Sequence, residues 1–234
     1  GESYEVAQSI WAAVLGLAVV MAILTVSMIM GYVNSKRRIY RLEMIDSTLN
    51  CATPKKFEKD AESILARHKN INFAIISLKI SNFSYVNENF GDTASDNLAA
   101  FAVGVVRHAL LIDETFAYAG DGELLLLLYY KDRKSFTDRL NGLYLRLARY
   151  EGLKDRDYTV SASFAVYEIE KGLKQTFKDY MIKLKTVKDA SGITVGSFSV
   201  NFYEDMLREK SVRKAEIEGK MESALENSEF HLFY

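Results

Sequence analysis

One short stretch decides how the rest of the chain is interpreted: Tyr118-Ala119-Gly120-Asp121-Gly122-Glu123, followed at once by five leucines at 124–128. The Gly-Asp-Gly sequence predicts a tight hairpin, because aspartate and glycine tolerate the left-handed backbone of a two-residue turn. The leucines predict a strand buried on both faces. A carboxylate at the tip of such a turn is suited to a metal ion or a phosphate, although an ordinary Asp-Gly hairpin is the simpler interpretation.

The composition excludes several function classes. The 234 residues include 30 basic and 31 acidic side chains, for a formal net charge of −1. The chain therefore lacks the basic excess of a nucleic-acid-binding protein, and no nucleic-acid partner is expected. Cys51 is the only cysteine, so an intrachain disulfide is excluded. The three histidines are scattered along the chain, which argues against a zinc site.

An uncharged segment near the N-terminus predicts a membrane span. Residues 10–33 carry no charged side chain, and at ~1.5 Å per residue such a helix spans the ~30 Å hydrocarbon core of a bilayer. Glu2 and Glu5 precede it, where a signal peptide would have basic residues. Basic side chains follow it directly, which by the positive-inside rule places the remainder in the cytoplasm: Lys36, Arg37, Arg38 and Arg41.

These observations give the expected organisation of the first part of the chain. We expect an extracytoplasmic end at residues 1–9, a transmembrane helix at 10–33, and a helical linker at 34–45. Because the chain starts at Gly1 rather than methionine, we also expect further sequence upstream.

Helical and strand patterns alternate in the remainder. Strands are predicted at Phe73–Ile80, 115–118, 124–128, 158–169 and 197–203, and helices at 54–68, 94–111, 134–150, 173–189 and 204–226. Residues 82–92 are predicted to be a turn-rich segment, and a new strand is predicted near 230–234. Single helices between strands, together with one hairpin, predict an α+β or α/β fold with a mixed β-sheet flanked by helices, and α+β is the fold class that we expect.

Residues 46–203 resemble the GGDEF domain of diguanylate cyclases, in a degenerate form. The motif at 78–91 follows the family's L-D-I-D-x-F-K-x-I-N-D-x-F-G without gaps: Leu78-Lys79-Ile80-Ser81-Asn82-Phe83-Ser84-Tyr85-Val86-Asn87-Glu88-Asn89-Phe90-Gly91. Five further residues take the place of G-G-D-E-F itself: Ala119, Gly120, Asp121, Gly122 and Glu123. The resemblance implies a nucleotide-cyclase-like mixed sheet.

The end of the chain resembles the start of an EAL phosphodiesterase domain. Residues 204–234 would form a linker helix and the first EAL strand, with Glu229-Phe230-His231-Leu232-Phe233-Tyr234 at that strand. The resemblance therefore implies a membrane-anchored GGDEF–EAL protein of the bacterial inner membrane, whose sequence stops here before the EAL catalytic residues. A downstream EAL domain is the expected partner within the same protein.

The resemblance also implies which chemistry has been lost. A GGDEF cyclase joins two GTP molecules, and carboxylates at the first strand and on the hairpin hold the divalent metal. Here Lys79 takes the first carboxylate position and Gly122 takes that of the hairpin glutamate. Because an ammonium group repels Mg²⁺, we expect no metal site, and we expect Lys79 and Asp121 to form an ion pair in its place.

Nucleotide binding is a separate question. Asn87 and Asp96 match the family's guanine-reading pair, and Lys188 matches a phosphate-contacting lysine, so the candidate GTP-binding residues are Asn87, Asp96, Asp121 and Lys188. Asn87 as a turn cap, Asp96 as a helix cap and Lys188 as a solvated lysine are the structural alternatives. At the family's inhibitory R-x-x-D site Asp113 is present but Leu110 replaces the arginine, so feedback binding of cyclic di-GMP is not expected.

Three hypotheses follow. The first is a non-catalytic regulatory domain that relays a membrane signal to the EAL domain, with or without GTP binding. The second is an active or residual diguanylate cyclase, for which Asp121 is the main support. The third is a structural spacer that forms a homodimer and binds no ligand.

Overall fold

The structure is a computed structural model that describes residues 2–156, 158–169, 175–190 and 198–226. The chain divides between Ile45 and Asp46 into two compact units. The first unit is dominated by one helix, α1 (Glu2–Met44), which includes the predicted span and extends through the predicted linker. Its window Val19–Lys36 has a mean hydropathy of 1.4 and none of it is buried. By length and composition this helix can cross a membrane.

The second unit is built on a seven-stranded sheet, which is mixed as the strand pattern predicted, but its two short strands at residues 45–46 and 51–52 were not predicted. Its strands are β1 (Ile45–Asp46), β2 (Cys51–Ala52), β3 (Phe73–Ile80), β4 (Thr115–Gly120), β5 (Glu123–Tyr129), β6 (Ala162–Glu168) and β7 (Phe198–Phe202). They lie in the order β1-β2-β4-β5-β3-β6-β7. β3 is antiparallel to both of its neighbours, β5 and β6, whereas β6 and β7 run parallel.

Helices cover both faces of this sheet. They are α2 (Pro54–Arg67), α3 (Phe83–Phe90), α4 (Asp92–Ala109), α5 (Arg133–Leu147), α6 (Phe177–Ala190) and α7 (Tyr203–Glu226). Alternate residues of β3 enter the two cores, since successive strand residues face opposite sides. Ile76 packs with the apolar residues of α4 and α5. Ile75 packs with those of α2, α6 and the first turn of α7.

The helix ends follow from local sequence. Thr53 caps α2 by accepting a hydrogen bond from the Lys56 amide at 3.4 Å, and Pro54 occupies the first helical turn as predicted. Asp132 caps α5 by accepting from the Ser135 amide at 2.9 Å. Hydrogen bonds from the Ser135 amide and hydroxyl lower the pKa of the Asp132 carboxyl, so the cap persists in mildly acidic solution.

One predicted element is wrong and one lies outside the described residues. Residues 82–92 were predicted as turns, but helix α3 occupies Phe83–Phe90. Asn82 enters it with a left-handed φ of 57°, and Phe83 and Val86, one helical turn apart, are buried. The strand predicted near 230–234 falls outside the described residues.

Candidate functional site

The hairpin between β4 and β5 has the two-residue turn predicted from Asp121-Gly122. Both turn residues have positive φ, 47° and 69°, as a type I′ turn requires. Gly120 pairs directly with Glu123, and the register shifts between Tyr118 and Gly120, which leaves Ala119 as a bulge. The turn therefore projects the Asp121 side chain from an exposed tip.

Gly122 is held from three sides. Its amide donates to the Tyr118 hydroxyl at 3.2 Å, and its carbonyl accepts from the Ile80 amide at 2.9 Å. A Cβ atom added at Gly122 would lie 2.5 Å from Cδ2 of Phe83. Burial raises the pKa of Tyr118, so its phenol remains protonated at neutral pH. The glutamate that the GGDEF pattern has at this position would not fit without displacing Phe83.

Lys79 contacts the turn, but not in the predicted form. It lies on β3 directly opposite Glu123 of β5. Its ammonium group donates a hydrogen bond to the backbone carbonyl of Asp121. Among the ion pairs of the described residues, none joins Lys79 to the Asp121 carboxylate, so the predicted ion pair is replaced by a charge-to-backbone hydrogen bond. The physical reason is the turn itself, which presents the carbonyl of Asp121 to β3 and leaves its carboxylate in solvent.

A polar network adjoins this contact. Ser77, two residues before Lys79 and on the same face of β3, donates to Oε1 of Glu123 at 2.6 Å. Lys188 extends from α6 to form an ion pair with the same carboxylate oxygen. The Glu123 side chain is 17% exposed and that of Lys188 is 35% exposed. Lys188, predicted to contact a nucleotide phosphate, therefore has its charge matched by a carboxylate of the chain itself.

The contacts of Glu123 and Ser77 were not predicted from the sequence. Glu123 was noted only as the last residue of the degenerate motif. Strand alternation provided a usable signal, because Ser77 and Lys79 are two apart and must share a face. The ion pair between positions 123 and 188 depends on tertiary packing, for which the sequence pattern carries no comparable signal.

Asn87 and Asp96 lie on neighbouring helices. Asn87, on α3, is exposed, and its side-chain oxygen lies 2.9 Å from the Ser95 hydroxyl. Asp96 is exposed on α4, and the N-cap of α4 is Gly91. Asn87 is therefore not a turn cap, and Asp96 is not the N-cap of its helix. The Ser95 contact ties α3 to α4, and the amide nitrogen of Asn87 has no hydrogen-bond partner among the described residues.

Asp113, at the aspartate position of the R-x-x-D pattern, and the nearby Arg107 contact different parts of the chain. Asp113 has a left-handed φ of 62°, and its carboxylate lies 3.5 Å from Arg67 and 3.1 Å from Nε2 of His68. Arg107 donates to the carbonyls of Leu49 and Asn50, at 3.3 and 2.8 Å. The guanidinium of Arg107 is thus directed at the β1–β2 turn rather than at Asp113.

The donor set at the hairpin does not match that of a divalent metal site. Mg²⁺ requires several oxygen ligands in near-octahedral geometry. Here an ammonium group contacts the turn, a glycine stands in place of one carboxylate, and the Glu123 carboxylate is already bound by Ser77 and Lys188. Within the described part of the chain, no group of three or more His, Cys, Asp or Glu side chains could hold a metal ion.

Comparison with known proteins gives the fold. No protein-family model and no curated protein matches this chain. The coiled-coil and GGDEF domain of DgcB from Caulobacter crescentus, in complex with c-di-GMP, superposes with a TM-score of 0.62 at 14% identity, covering 76% of this chain and 95% of that one. The GGDEF domain of TpbB, or YfiN, from Pseudomonas aeruginosa gives 0.61 at 14% identity, over 71% and 99%.

A third structure extends the comparison. The diguanylate cyclase SiaD from Pseudomonas aeruginosa, in complex with its activator SiaC, gives a TM-score of 0.58 at 16% identity, over 86% of this chain and 79% of that one. These likenesses, together with the mixed sheet and its central hairpin, show that this chain contains a domain with the GGDEF fold.

Proposed function

We propose that this chain carries a non-catalytic, regulatory GGDEF-like domain in cyclic di-GMP signalling, which relays a membrane signal to a downstream EAL phosphodiesterase domain. The observation that carries the proposal is that two lysine side chains of the chain itself contact the hairpin between β4 and β5. Lys79 bonds to the Asp121 carbonyl, and Lys188 neutralises Glu123.

The positive charge of Lys79 opposes cyclase chemistry because it stands in a metal-ligand position. Phosphoryl transfer of this kind needs positive charge near the transferring phosphate, supplied by a metal held between carboxylates. A lysine in the ligand position offers one charge without coordination geometry. It also raises the energy of a divalent cation placed beside it, because two like charges at contact distance repel by several kcal/mol at an effective dielectric of about 20.

An active or residual diguanylate cyclase is the second candidate. One observation favours it: Asp121 is exposed at the tip of the turn, and its carboxylate has no hydrogen-bond partner among the described residues. That single carboxylate could contact a metal already bound to a nucleotide. A sensitive assay for cyclic di-GMP with GTP and Mn²⁺ tests it, since turnover abolished by Asp121→Asn would replace the regulatory proposal with this one.

Helix α7 is the proposed route of the relay. Arg133, at the start of α5, donates to Asp205 of α7 at 3.0 Å and lies over the Phe202 ring at 4.2 Å from its centroid. Its Nε atom is 3.8 Å from Glu168 at the end of β6. The first turn of α7 is thereby tied to the sheet, so a shift within the domain would move the helix that leads towards residues 229–234.

The membrane part of the proposal rests on α1. That helix is long and apolar enough to cross a bilayer, and the basic residues after the span favour a cytoplasmic GGDEF-like domain at the inner membrane. We propose a homodimer as the signalling form, as in the family's usual arrangement of two facing domains. Cross-linking of the full chain in membranes tests this, with monomers alone as the contrary result.

Calorimetry with GTP separates the regulatory domain from a structural spacer. We propose that GTP binds through the exposed pair Asn87 and Asp96 without a requirement for Mg²⁺. The expected result is the same binding heat with and without Mg²⁺, lost in Asn87→Ala. Binding only when Mg²⁺ is present would contradict the proposal, and no heat under either condition would favour the spacer.

A further inference from the structure

A cavity lies between helices α4 and α5, on the face of the sheet opposite to α2 and α6. Its volume is about 210 Å³. Most of its walls are aliphatic side chains contributed by α4, by β5 and by α5: Val106, Ala109, Leu126, Leu128, Leu140 and Leu143. Such a lining offers water few hydrogen-bond partners, and an engineered cavity of about 150 Å³ with a similar lining binds benzene.

Gly142 keeps this space open. It lies within α5 and lines the cavity. A Cβ atom added there would have no packed neighbour within 4 Å, so close helix packing does not require a glycine. Its φ is not positive either, and glycine in a helix interior is destabilising relative to alanine. The missing side chain therefore has one structural consequence, which is room for another molecule between the two helices.

Two arginines also line the cavity, and the charge of only one is matched within the chain. Arg139 forms an ion pair with Glu114 at 2.6 Å, and the Glu114 side chain is fully buried. Arg146 is exposed, and no carboxylate of the described residues forms an ion pair with it. Arg146 also lines an open groove beside Gly104 and His108 of α4. It therefore stands where the cavity adjoins that solvent-facing groove.

We propose that this cavity binds the hydrocarbon chain of a medium-chain fatty acid, with the carboxylate at Arg146. The aliphatic walls supply most of the affinity, because each methylene buried against them leaves water. By proportion with the benzene case, the cavity has room for roughly eight carbons. Arg146 adds a charge-assisted hydrogen bond that orients the chain. An anion without the chain would gain little, since Arg146 is a single exposed cation.

This site lies apart from the hairpin, so its test does not depend on the proposed function. The full chain in lipid nanodiscs is incubated with octanoic acid that carries a photoreactive diazirine at its terminal carbon. Cross-linked residues are then located by mass spectrometry. We expect saturable labelling of the segments of α4 and α5 that line the cavity, and we expect unlabelled octanoate to suppress it.

Gly142→Leu is the decisive variant, because its new side chain fills the cavity from a position where a Cβ meets no neighbour. Half-saturation of labelling should then require at least about tenfold more probe, and in Arg146→Met about threefold more. Asn141→Leu is the matched control. Asn141 is the exposed neighbour of Gly142 and does not line the cavity, so this variant should be labelled as the parent chain is.

Thermal unfolding without probe establishes that each variant is folded. If Gly142→Leu is not, Arg146→Met carries the test, since its side chain is exposed. Saturable labelling of α4 and α5 that weakens in these variants and persists in Asn141→Leu supports the proposal. Labelling that does not saturate, that lies elsewhere in the chain, or that is unchanged in folded Gly142→Leu would overturn it.

Discussion

Lys188 of α6 forms an ion pair with Glu123, the first residue of β5, on the face of the sheet that α2 and α6 cover. Ser77 donates to the same carboxylate at 2.6 Å. A lysine that the resemblance assigned to a nucleotide phosphate is thus paired within the chain. This relationship, together with the Lys79 contact to the Asp121 carbonyl, is the physical basis of the regulatory interpretation.

The Glu123–Lys188 pair is expected to contribute measurably to stability. Both side chains are partly shielded, so breaking the pair by Glu123→Gln should cost about 1–2 kcal/mol of unfolding free energy. A double-mutant cycle with Lys188→Met, followed by urea denaturation, isolates the coupling. The local i,i+4 pair Lys56–Asp60 of α2, whose side chains are 30% and 35% exposed, is the control and should give about 0.2–0.5 kcal/mol. Equal couplings for the two pairs would count against a special role for Glu123.

Gly122 and Gly120 allow backbone strain to be separated from steric conflict. Both have positive φ, 69° and 92°, but only a Cβ at Gly122 meets another residue, Phe83. Gly120→Ala should cost about 1 kcal/mol from strain alone, and Gly122→Ala about 1–2 kcal/mol more. Thermal unfolding of the two variants checks the difference. Similar losses in both would mean that Phe83 moves aside readily, and that a glutamate could be accommodated at Gly122.

Glu168 should make stability depend on pH in a defined direction. Burial raises the pKa of this carboxyl, and the neighbouring Glu204 and Asp205 raise it further, against the opposing effects of Tyr130 and Arg133. The folded chain therefore takes up this proton at higher pH than the unfolded chain does. Its contribution to stability is present at low pH and is lost as pH rises through the folded-state pKa.

The variant Glu168→Gln cannot titrate and serves as the reference. The stability of the parent chain relative to this variant should increase as the solution is taken from about pH 7 to about pH 5. Tyr130 is no competing source of the effect, because burial raises the pKa of its phenol to about 12. A relative stability that stays constant, or falls on acidification, would contradict the assignment.

Arg133 should control the mobility of the first turns of α7. Arg133→Met keeps a long apolar side chain beside Phe202 but removes the guanidinium, and with it the hydrogen bond to Asp205 and the contact with Glu168. We expect backbone amides of residues 207–210 to exchange with deuterium roughly three- to tenfold faster, corresponding to about 1 kcal/mol. Arg146→Met, at the other end of α5, should leave this exchange unchanged. An identical pattern in the two variants would remove Arg133 from the relay.

Much of the fold was predictable because the signals were long and periodic. The eight-residue apolar strand β3 and the leucine strand β5 are correctly predicted, as is the turn at Asp121-Gly122, whose sequence demands positive φ. Helix α3 was missed because it has only eight residues and is rich in asparagine, so its apolar positions cover barely two turns.

The site was less predictable than the fold. Aligning the motif correctly identified Lys79 as a neighbour of the turn, but it could not show that the Asp121 carbonyl, rather than the carboxylate, would face the strand. The Glu123–Lys188 pair joins residues 65 positions apart. Such a contact depends on the packing of α6 against the sheet, which local sequence does not encode.

In the function that we propose, residues of this chain occupy the position where cyclase chemistry requires a divalent metal. Electron paramagnetic resonance of Mn²⁺, titrated into the full chain with GTP present, tests it most directly. We expect the parent chain to bind no Mn²⁺ at Asp121. We expect Mn²⁺ to bind there only in Lys79→Asp, which restores a carboxylate on β3. Stoichiometric Mn²⁺ binding by the parent chain, abolished in Asp121→Asn, would contradict the account.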